Sequence, residues 1–421
     1  MRKVAIVGGV RTPFVKSMSH YSGKSNKDLV TAALRELVKK FNLENKILGD
    51  VALGAVMKNA EDWNLSRETV LQSGLHPQTP GYDVQRACGT GMETISQIAL
   101  KIAAGQMDVG IGGGVDTNSD IQATLPHEFT WTLLEAQRAN SLPARMMAFL
   151  KMRPSYLKPQ FPVVKEPRTG KSMGDHTELM VQEWNISQGE QDQLAFESHQ
   201  KGAKAYDAGF YDDLVVEFNG LKKDSILRPD TTLEKLKKLK PAFDFSGKGT
   251  LTAGNSTALT DGASVVLLAS EDYAKKNNLP ILAYFVDYQS AAVNFVKGEG
   301  LLMAPTIAVS ELLKRNNLKL QDFDFFEIHE AFAGQVLCTL KAWESADYCK
   351  RVLGRDSAMG SIDRSKLNVN GSSLALGHPF AATGGRIVAT LAKLLNQKSS
   401  GRGLISICTA GGMGVCAIIE K

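Results

Sequence analysis

The sequence has few cysteines, few aromatic residues and no long hydrophobic run. Its five cysteines, at 88, 338, 349, 408 and 416, are odd in number, widely spaced and without a Cys-x-x-Cys pair. That excludes a disulfide framework and the paired spacing of a structural zinc site, and no metal is expected. Reduced thiols fit a cytosol-like compartment, so a cytoplasmic location is expected. No apolar run approaches the ~18 residues that span a bilayer. Near the start, Val4–Val7 is cut by Gly8-Gly9 and followed by Arg11, too short for a signal-peptide core. It reads as a first strand, with the sequence expected to begin where the fold begins. An excess of one charge is also missing. Lys and Arg number 49 against 44 Asp and Glu, a net +5, which argues against a general nucleic-acid binder. With 43% apolar and 22% charged residues, wholesale disorder is excluded. A chain of 421 residues holds two to four domains at ~100–200 residues each, and needs no staples.

What is present is alternation. Spacing predicts strands at Lys3–Val7, Asp50–Met57 and Asp108–Gly114, and helices at Asn26–Phe41 and Gly91–Gly105. Ile95, Ile98, Ala99 and Ile102 recur as one buried helical face. The C-terminal part repeats the theme, with strands at Phe323–Ile328 and Leu404–Cys408 and a helix at Gly384–Leu395. Such alternation favours a layered α/β architecture. The middle differs. Arg138–Lys171 holds eight basic residues and a single acid, Glu166, with prolines at 143, 154, 159, 162 and 167. Met146, Met147, Phe149, Leu150 and Phe161 add apolar bulk. This segment reads as an inserted, partly helical excursion. It is either a solvated loop packed on its own domain or a docking surface for an anionic substrate, partner or membrane.

Several familiar devices are absent. Neither Gly-Lys-Ser, at 23–25 or 170–172, has the glycine spacing of a phosphate-binding loop, and there is no Gly-x-Ser-x-Gly elbow. Cys88 stands out. It follows the strand-like Tyr82–Gln85 and precedes Gly89-Thr90-Gly91 and an amphipathic helix. A lone cysteine is ordinarily a buried structural residue. At a helix N-terminus, however, free N–H groups and the dipole favour thiolate, which points to a nucleophile. A base is then needed. His378 lies in the Gly377-His378-Pro379 loop and His329 at a strand end before Glu330-Ala331-Phe332. Loops at strand ends are where α/β sheets carry their sites. Cys408 enters Thr409-Ala410-Gly411-Gly412, a segment suited to presenting backbone N–H groups to an oxyanion. Cys338, Cys349 and Cys416 are expected in the core or at the surface.

Together, Arg11-Thr12-Pro13-Phe14, Cys88-Gly89-Thr90-Gly91, Met173-Gly174, Ala253-Gly254-Asn255-Ser256, His329-Glu330-Ala331-Phe332, Gly377-His378-Pro379 and Cys408–Gly412 stand in the order seen in thiolases. The resemblance covers essentially the whole chain. It is most similar to the thiolase (β) subunits of fatty-acid oxidation complexes, which also tend to have His before Glu-Ala-Phe and a long middle insertion. The resemblance implies an α/β thiolase fold, with two similar βαβαβαββ halves in five αβαβα layers. Residues 1–119 with 246–280 would form one half, 120–245 the inserted loop domain, and 281–421 the other half.

It implies an acyltransferase that cleaves 3-oxoacyl-CoA with CoA. Cys88 would be the acyl-accepting nucleophile, His378 its base, Cys408 the second acid/base, Ala410 a backbone oxyanion donor, and His329 a group positioning water or the thioester oxygen. CoA would be a co-substrate, with no permanent cofactor. Its contacts would come from Ser172, Met173, Arg228, Leu239, Phe243, Ala253, Thr257, Ala331 and Phe332. The expected assembly is a homodimer or homotetramer. A partner subunit of a β-oxidation complex and peripheral contact with an anionic membrane are allowed by the resemblance, and nucleic acid is not. Gly89-Thr90, Ser172 and Asn255-Ser256-Thr257 depart from the commoner family residues and bear on the CoA contacts. Two other readings stand beside this one: a biosynthetic acetoacetyl-CoA thiolase, and more remotely a non-catalytic lipid- or partner-binding protein of the same fold. A decarboxylating ketoacyl synthase would have no need of the thiol at Cys408.

Overall fold

Every residue of Val4–Arg11, strand β1, is buried. It lies between two antiparallel partners, which makes it the seam of the molecule. The structure, a computed structural model, describes residues 1–421. From β1 the chain runs through β2 (Val15–Lys16), α1 (Asn26–Lys40), β3 (Asp50–Leu53), α2 (Leu65–Ser73), β4 (Gly81–Asp83), α3 (Thr90–Ala103) and β5 (Val109–Asp116). Five helices follow: α4 (His127–Arg138), α5 (Leu142–Leu150), α6 (Met173–Glu183), α7 (Gln188–Asp207) and α8 (Leu233–Lys237). The chain then returns through β6 (Thr260–Ser270) and α9 (Glu271–Lys276). The second half comprises β7 (Ala283–Ala292), α10 (Ala304–Asn316), β8 (Phe325–Ile328), α11 (Ala333–Glu344), α12 (Ala346–Arg351), α13 (Ser373–Leu376), α14 (Thr383–Lys398), β9 (Arg402–Thr409) and β10 (Met413–Glu420). No helix is long and apolar enough to cross a membrane.

Read outward from the seam, the strands run β1, β6, β5, β3, β4 on one side and β7, β10, β9, β8 on the other. The order and the mixture of parallel and antiparallel pairs correspond, so the halves are similar. One difference is that the counterpart of β4 is reduced to a single bridge between Phe326 and Leu367. Three apolar clusters separate five layers. One lies between α1 and the outer face of the first sheet half. A second holds α3 and α14 between the inner faces. The third packs α10 and α11 on the outer face of the second half.

The local chemistry explains the elements. Ser25 caps α1 through a reciprocal pair with Asp28. Ile95, Ile98 and Ile102 of α3 are fully buried, each burial contributing about 1.5–3 kcal/mol relative to exposure. The strand expected to reach Met57 stops at Leu53. Gly54 packs so tightly that a Cβ there would lie 1.9 Å from the Val84 carbonyl. The chain then turns, and Asp116 accepts the N–H groups of Val56 (2.9 Å) and Met57 (2.7 Å). The inserted segment is tied to β1 by a buried ion pair, with Arg11 donating to both carboxylate oxygens of Asp224 at 2.6 and 2.7 Å. Phe14 N–H and the Tyr206 hydroxyl complete that carboxylate's shell, each at 2.7 Å. With its remaining acceptor sites filled, the buried pair is a fixed joint, not an uncompensated cost.

In the central layer, α3 and α14 cross where neither can carry a side chain. A Cβ on Gly91 would lie 2.4 Å from the Ala381 carbonyl, and one on Gly384 would lie 2.2 Å from the Met92 nitrogen. Both obstacles are backbone, so relief requires the helices to part. Gly384→Ala is therefore expected to lower stability by about 1–3 kcal/mol. A wild-type urea midpoint for that variant would show that the crossing has slack.

Candidate active site

The segments that lead into the helices crossing at these glycines line one cavity. In the turn between β4 and α3, Ala87 adopts φ +43°, a strained value for a residue with a Cβ, immediately before Cys88. Thr90 locks the turn by accepting from Arg86 N–H (2.8 Å) and donating to the Ala87 carbonyl (2.7 Å). Gly89 allows close approach to β9, since a Cβ there would meet Thr409 at 2.9 Å. Ahead of α14, Gly377 takes φ +105°, a conformation reserved for glycine. His378 is then held by its N–H on Thr260 Oγ1 (2.9 Å) and by ring Nδ1 against Thr383 Oγ1 (2.6 Å). Ala381 N–H reaches Asp116 at 2.8 Å, so the carboxylate that shapes the Val56-Met57 turn also holds the His378 loop.

A cavity of about 410 Å³ is lined by Cys88, His378, Cys408 and Ala410 together. Cys88 is half-buried, Cys408 and His378 are buried. The backbone N–H groups of Ala410 and of Cys88 itself bear on the Cys88 sulfur. His329 does not line the cavity. It stands directly behind, fully buried, with its ring 4.1 Å from that of His378. Of the residues expected to hold CoA, Ser172, Met173, Phe243, Thr257, Ala331 and Phe332 line the same cavity. Phe243 packs edge-on against Phe332. Arg228, Leu239 and Ala253 lie outside the lining. Arg228 is exposed, its backbone N–H on His199 Nδ1 (3.2 Å), and Leu239 and Ala253 are exposed beside Gly254. Cys338, Cys349 and Cys416 are buried elsewhere.

Sequence reasoning missed the apolar walls, Val56, Met57, Val163, Val164, Leu302 and Phe380. It also passed over Glu166, whose Oε1 accepts the Gly411 N–H at 2.6 Å and braces the glycine turn after Cys408. A signal existed for Glu166, because it is the only acid in the basic stretch Arg138–Lys171.

The electrostatics correct one expectation. Cys88 precedes α3, yet its thiol is not shifted toward thiolate. Burial pushes it up to about 12, with the Ala410 N–H opposing. Burial, and then the neighbouring Cys88, hold Cys408 well above its usual range. Desolvation penalises charge more than one helix end rewards it. The same burial, aided by the positive charge of Arg386, lowers His378 to about 3. His329 is lowered well below its ordinary value by burial, by His378 and by Arg386. The site thus holds two protonated thiols beside two neutral imidazoles, with backbone donors in place. That arrangement suits proton transfer to a histidine as sulfur attacks a carbonyl.

Family models for the thiolase N-terminal domain and the thiolase C-terminal domain match residues 4–272 and 279–421. The chain belongs to the thiolase family. Among curated members, the 3-ketoacyl-CoA thiolases of Yersinia pestis and Yersinia pseudotuberculosis are 37% identical over 424 aligned residues, covering 99% of this chain and 97% of theirs. Among solved thiolase structures, the Bacillus anthracis acetyl-CoA acetyltransferase superposes with a TM-score of 0.83 at 31% identity, covering 100% of this chain and 99% of its own. The human mitochondrial 3-ketoacyl-CoA thiolase in complex with CoA superposes with a TM-score of 0.82 at 28% identity, covering 100% and 98%. The chain is thus an acyltransferase of the thiolase type, with the α/β thiolase fold.

The dry site has a consequence for stability. His378 at about 3, His199 at about 4 and His329 lie below the ordinary 6.5. The unfolded chain takes up these protons near that value and the folded chain does not. The contribution of these histidines to stability is therefore fully present above 6.5 and is lost as pH falls below it, by up to ~1.4 kcal/mol per pH unit for each. Buried Glu327 and Asp116, raised to about 8 and about 7, act in the opposite sense over the same range, so the effect is read as a difference: from about pH 7.5 to about pH 5.5 the urea midpoint of the wild-type protein should lose ground relative to that of His378→Gln. Identical slopes would contradict a neutral, buried His378.

Proposed function

We infer that this protein is a degradative 3-oxoacyl-CoA thiolase working through an acyl-cysteine. The observation that carries the reading is the single cavity shared by Cys88, His378, Cys408 and Ala410. In the proposed cycle, His378 Nδ1–H rests on Thr383 Oγ1 and Nε2 takes the Cys88 proton as sulfur attacks the keto carbon. The oxyanion is met by the N–H groups of Cys88 and Ala410. The Cα–Cβ bond breaks, its electrons forming the enolate of acetyl-CoA, and Cys408 delivers a proton to the enolate carbon. Acetyl-CoA leaves and the acyl group remains on Cys88. The Cys408 thiolate then takes the proton of an incoming CoA thiol, which attacks the acyl-cysteine. As shortened acyl-CoA departs, His378 returns the proton to Cys88. The covalent relay divides one difficult cleavage into two easier steps. His378 and His329 would attend the thioester oxygen of the departing acetyl-CoA. Removing one such donor typically costs ~10²–10³-fold in rate.

Ser172, Met173, Phe243, Thr257, Ala331 and Phe332 are assigned to the pantetheine arm, because they share the cavity with the thiols. Arg228, Leu239 and Ala253 are assigned to the exposed outer part of CoA, where a guanidinium suits phosphate or adenine. The alternative is an acetoacetyl-CoA thiolase, the class of the Bacillus anthracis neighbour. The apolar walls at Val56, Met57, Val163, Val164, Leu302 and Phe380 support acyl chains longer than acetoacetyl. The remote non-catalytic reading is disfavoured by the presence of every reacting residue.

A second surface bears on partners. On α4 and α5, Trp131 (64%), Leu142 (71%), Met147 (63%) and Leu150 (82%) are exposed. Arg138, Arg145, Lys151 and Arg153 lie in the same segment. We assign this hairpin to contact with an anionic, apolar neighbour, either a partner subunit of an oxidation complex or an anionic membrane face. Each Lys or Arg near such a membrane adds ~1 kcal/mol.

Cys88→Ser should retain folding and lose acyl transfer, and Cys408→Ala should lose turnover while still accepting an acyl group slowly. Mass spectrometry after mixing with acetoacetyl-CoA should find the acyl group on Cys88. Near-normal turnover in either variant would overturn the roles. Faster cleavage of 3-oxohexadecanoyl-CoA than of acetoacetyl-CoA is expected, and the reverse order would favour the biosynthetic alternative. Charge reversal of Arg145, Lys151 and Arg153 together should weaken binding to anionic liposomes or to a partner in a salt-sensitive way, with short-chain cleavage unchanged. Intact binding with collapsed catalysis would place the hairpin in the active site.

A further inference from the structure

One carboxylate in the cavity lining has no place in the cycle above. Glu166 is buried, 6% exposed, and lines the cavity together with Cys88 and Cys408. It belongs to the inserted segment and opens a closed turn. Its N–H donates to the Lys171 carbonyl at 2.9 Å, and its own carbonyl accepts from Thr169 N–H (3.2 Å) and Gly170 N–H (2.8 Å). Lys165 beside it bridges to Ser172, which caps α6. The backbone that carries the carboxylate is thus rooted on a helix, and it continues Val163 and Val164 of the cavity wall.

The carboxylate reaches the turn between β9 and β10. Thr409 pairs with Met413, so the turn consists of Ala410, Gly411 and Gly412. Both glycines are left-handed, at φ +78° and +69°. Gly412 is held by packing, since a Cβ there would lie 2.6 Å from the Phe295 ring, and its carbonyl accepts from Val293 N–H at 2.8 Å. Gly411 is not held in this way. A Cβ on it would meet only the tip of the Met413 side chain, at 3.3 Å. A glycine without packing keeps wide conformational freedom. Thr409 Oγ1 donates to the Ala410 carbonyl at 3.0 Å from within the turn. The Gly411 N–H, on Glu166 Oε1 at 2.6 Å, is the one hydrogen bond that ties the Ala410–Gly411 peptide to a distant part of the chain. The next N–H back, that of Ala410, has no backbone acceptor and bears on the Cys88 sulfur. A short bond from an N–H to a carboxylate is charge-assisted, roughly twice as strong as a neutral one. The charge itself counts against the site, because it opposes ionisation of Cys88. An apolar side chain would pack there without that cost, so what the carboxylate adds is the acceptor.

We propose that Glu166 is a positioning residue: by accepting the Gly411 N–H it sets the turn that aims the Ala410 N–H into the site, and it ties that oxyanion donor to the inserted segment that forms the cavity wall. The proposal rests on the thiolase reading for what the donor meets, and on geometry alone for the brace.

Hydrogen exchange and kinetics test it together. The Gly411 N–H should exchange slowly in the wild-type protein and in Glu166→Gln, which keeps an acceptor oxygen. It should exchange at least about tenfold faster in Glu166→Met, which keeps the length and loses the acceptor. Free exchange of Gly411 in the wild-type protein, or equally slow exchange in Glu166→Met, overturns the brace whatever the substrate. With acetoacetyl-CoA, Glu166→Met should lower kcat by about 10–100-fold with KM changed less than about threefold, and Glu166→Gln should stay within about threefold of the wild type. Equal losses in the two variants would assign the effect to charge, and a change in KM alone would make Glu166 a CoA contact. Either result overturns the proposal. If Glu166→Met does not fold, wild-type exchange and the kinetics of Glu166→Gln still decide. Absence of 3-oxoacyl-CoA cleavage by the wild-type protein would instead defeat the functional reading and leave the exchange result to decide the brace.

Discussion

The crossing of α3 and α14 at Gly91 and Gly384 is the contact on which the site depends. Each helix is preceded by a strained or glycine-hinged turn, and each turn carries one candidate reacting residue, Cys88 or His378. Backbone packed on backbone leaves no side chain to adjust, so the separation of the two turns is set by van der Waals contact. The strand order makes this possible. The two sheet halves meet at β1 and β7 and fold their inner faces over one shared helical layer. α14 holds in the second half the place that α3 holds in the first, and the site forms where the equivalent ends meet. Asp116 reinforces the same point by gripping Val56, Met57 and Ala381 N–H groups from both halves.

Burial sets the chemistry that this geometry permits. Four groups able to gain or lose a proton, Cys88, Cys408, His329 and His378, sit in or directly behind one apolar cavity, and each is driven toward its neutral form. A permanent thiolate–imidazolium pair would need stronger solvation than the cavity walls provide. In the proposed cycle neutral partners exchange protons as bonds form, and backbone N–H groups already in place meet the charge that develops. The cost is several unpartnered buried atoms, among them His329 Nε2.

Much of this was legible in one dimension. Periodicity located α1, α3 and α14 to within two or three residues, because a helix between two apolar layers must repeat its buried face. The motifs around Cys88, His378 and Cys408 were legible because tight turns demand glycine and leave the reactive side chain conspicuous. Other features were not. The end of β3 depends on Val84 crowding Gly54 from a distant turn. The apolar lining at Val56, Met57, Val163 and Val164 looks like ordinary core or loop sequence until the cavity brings it together. The desolvation that opposes the helix start at Cys88 was also hidden, because a helix start is written in the sequence and the surroundings of the sulfur are not.

The sequence by itself determined the layered α/β architecture, the family and the candidate reacting side chains, since these follow from local periodicity and from short blocks in fixed order. The tertiary structure alone decided which of those residues share a cavity, which stand behind it, and how strongly burial favours their neutral forms. His329 shows the division. Its presence in the sequence marks a candidate, but its ring is held by Ser373, 44 positions further on. That serine in turn accepts from Arg386, 13 positions beyond it. Hydrogen-bond direction and desolvation are properties of neighbours in space, and only the folded chain selects the neighbours.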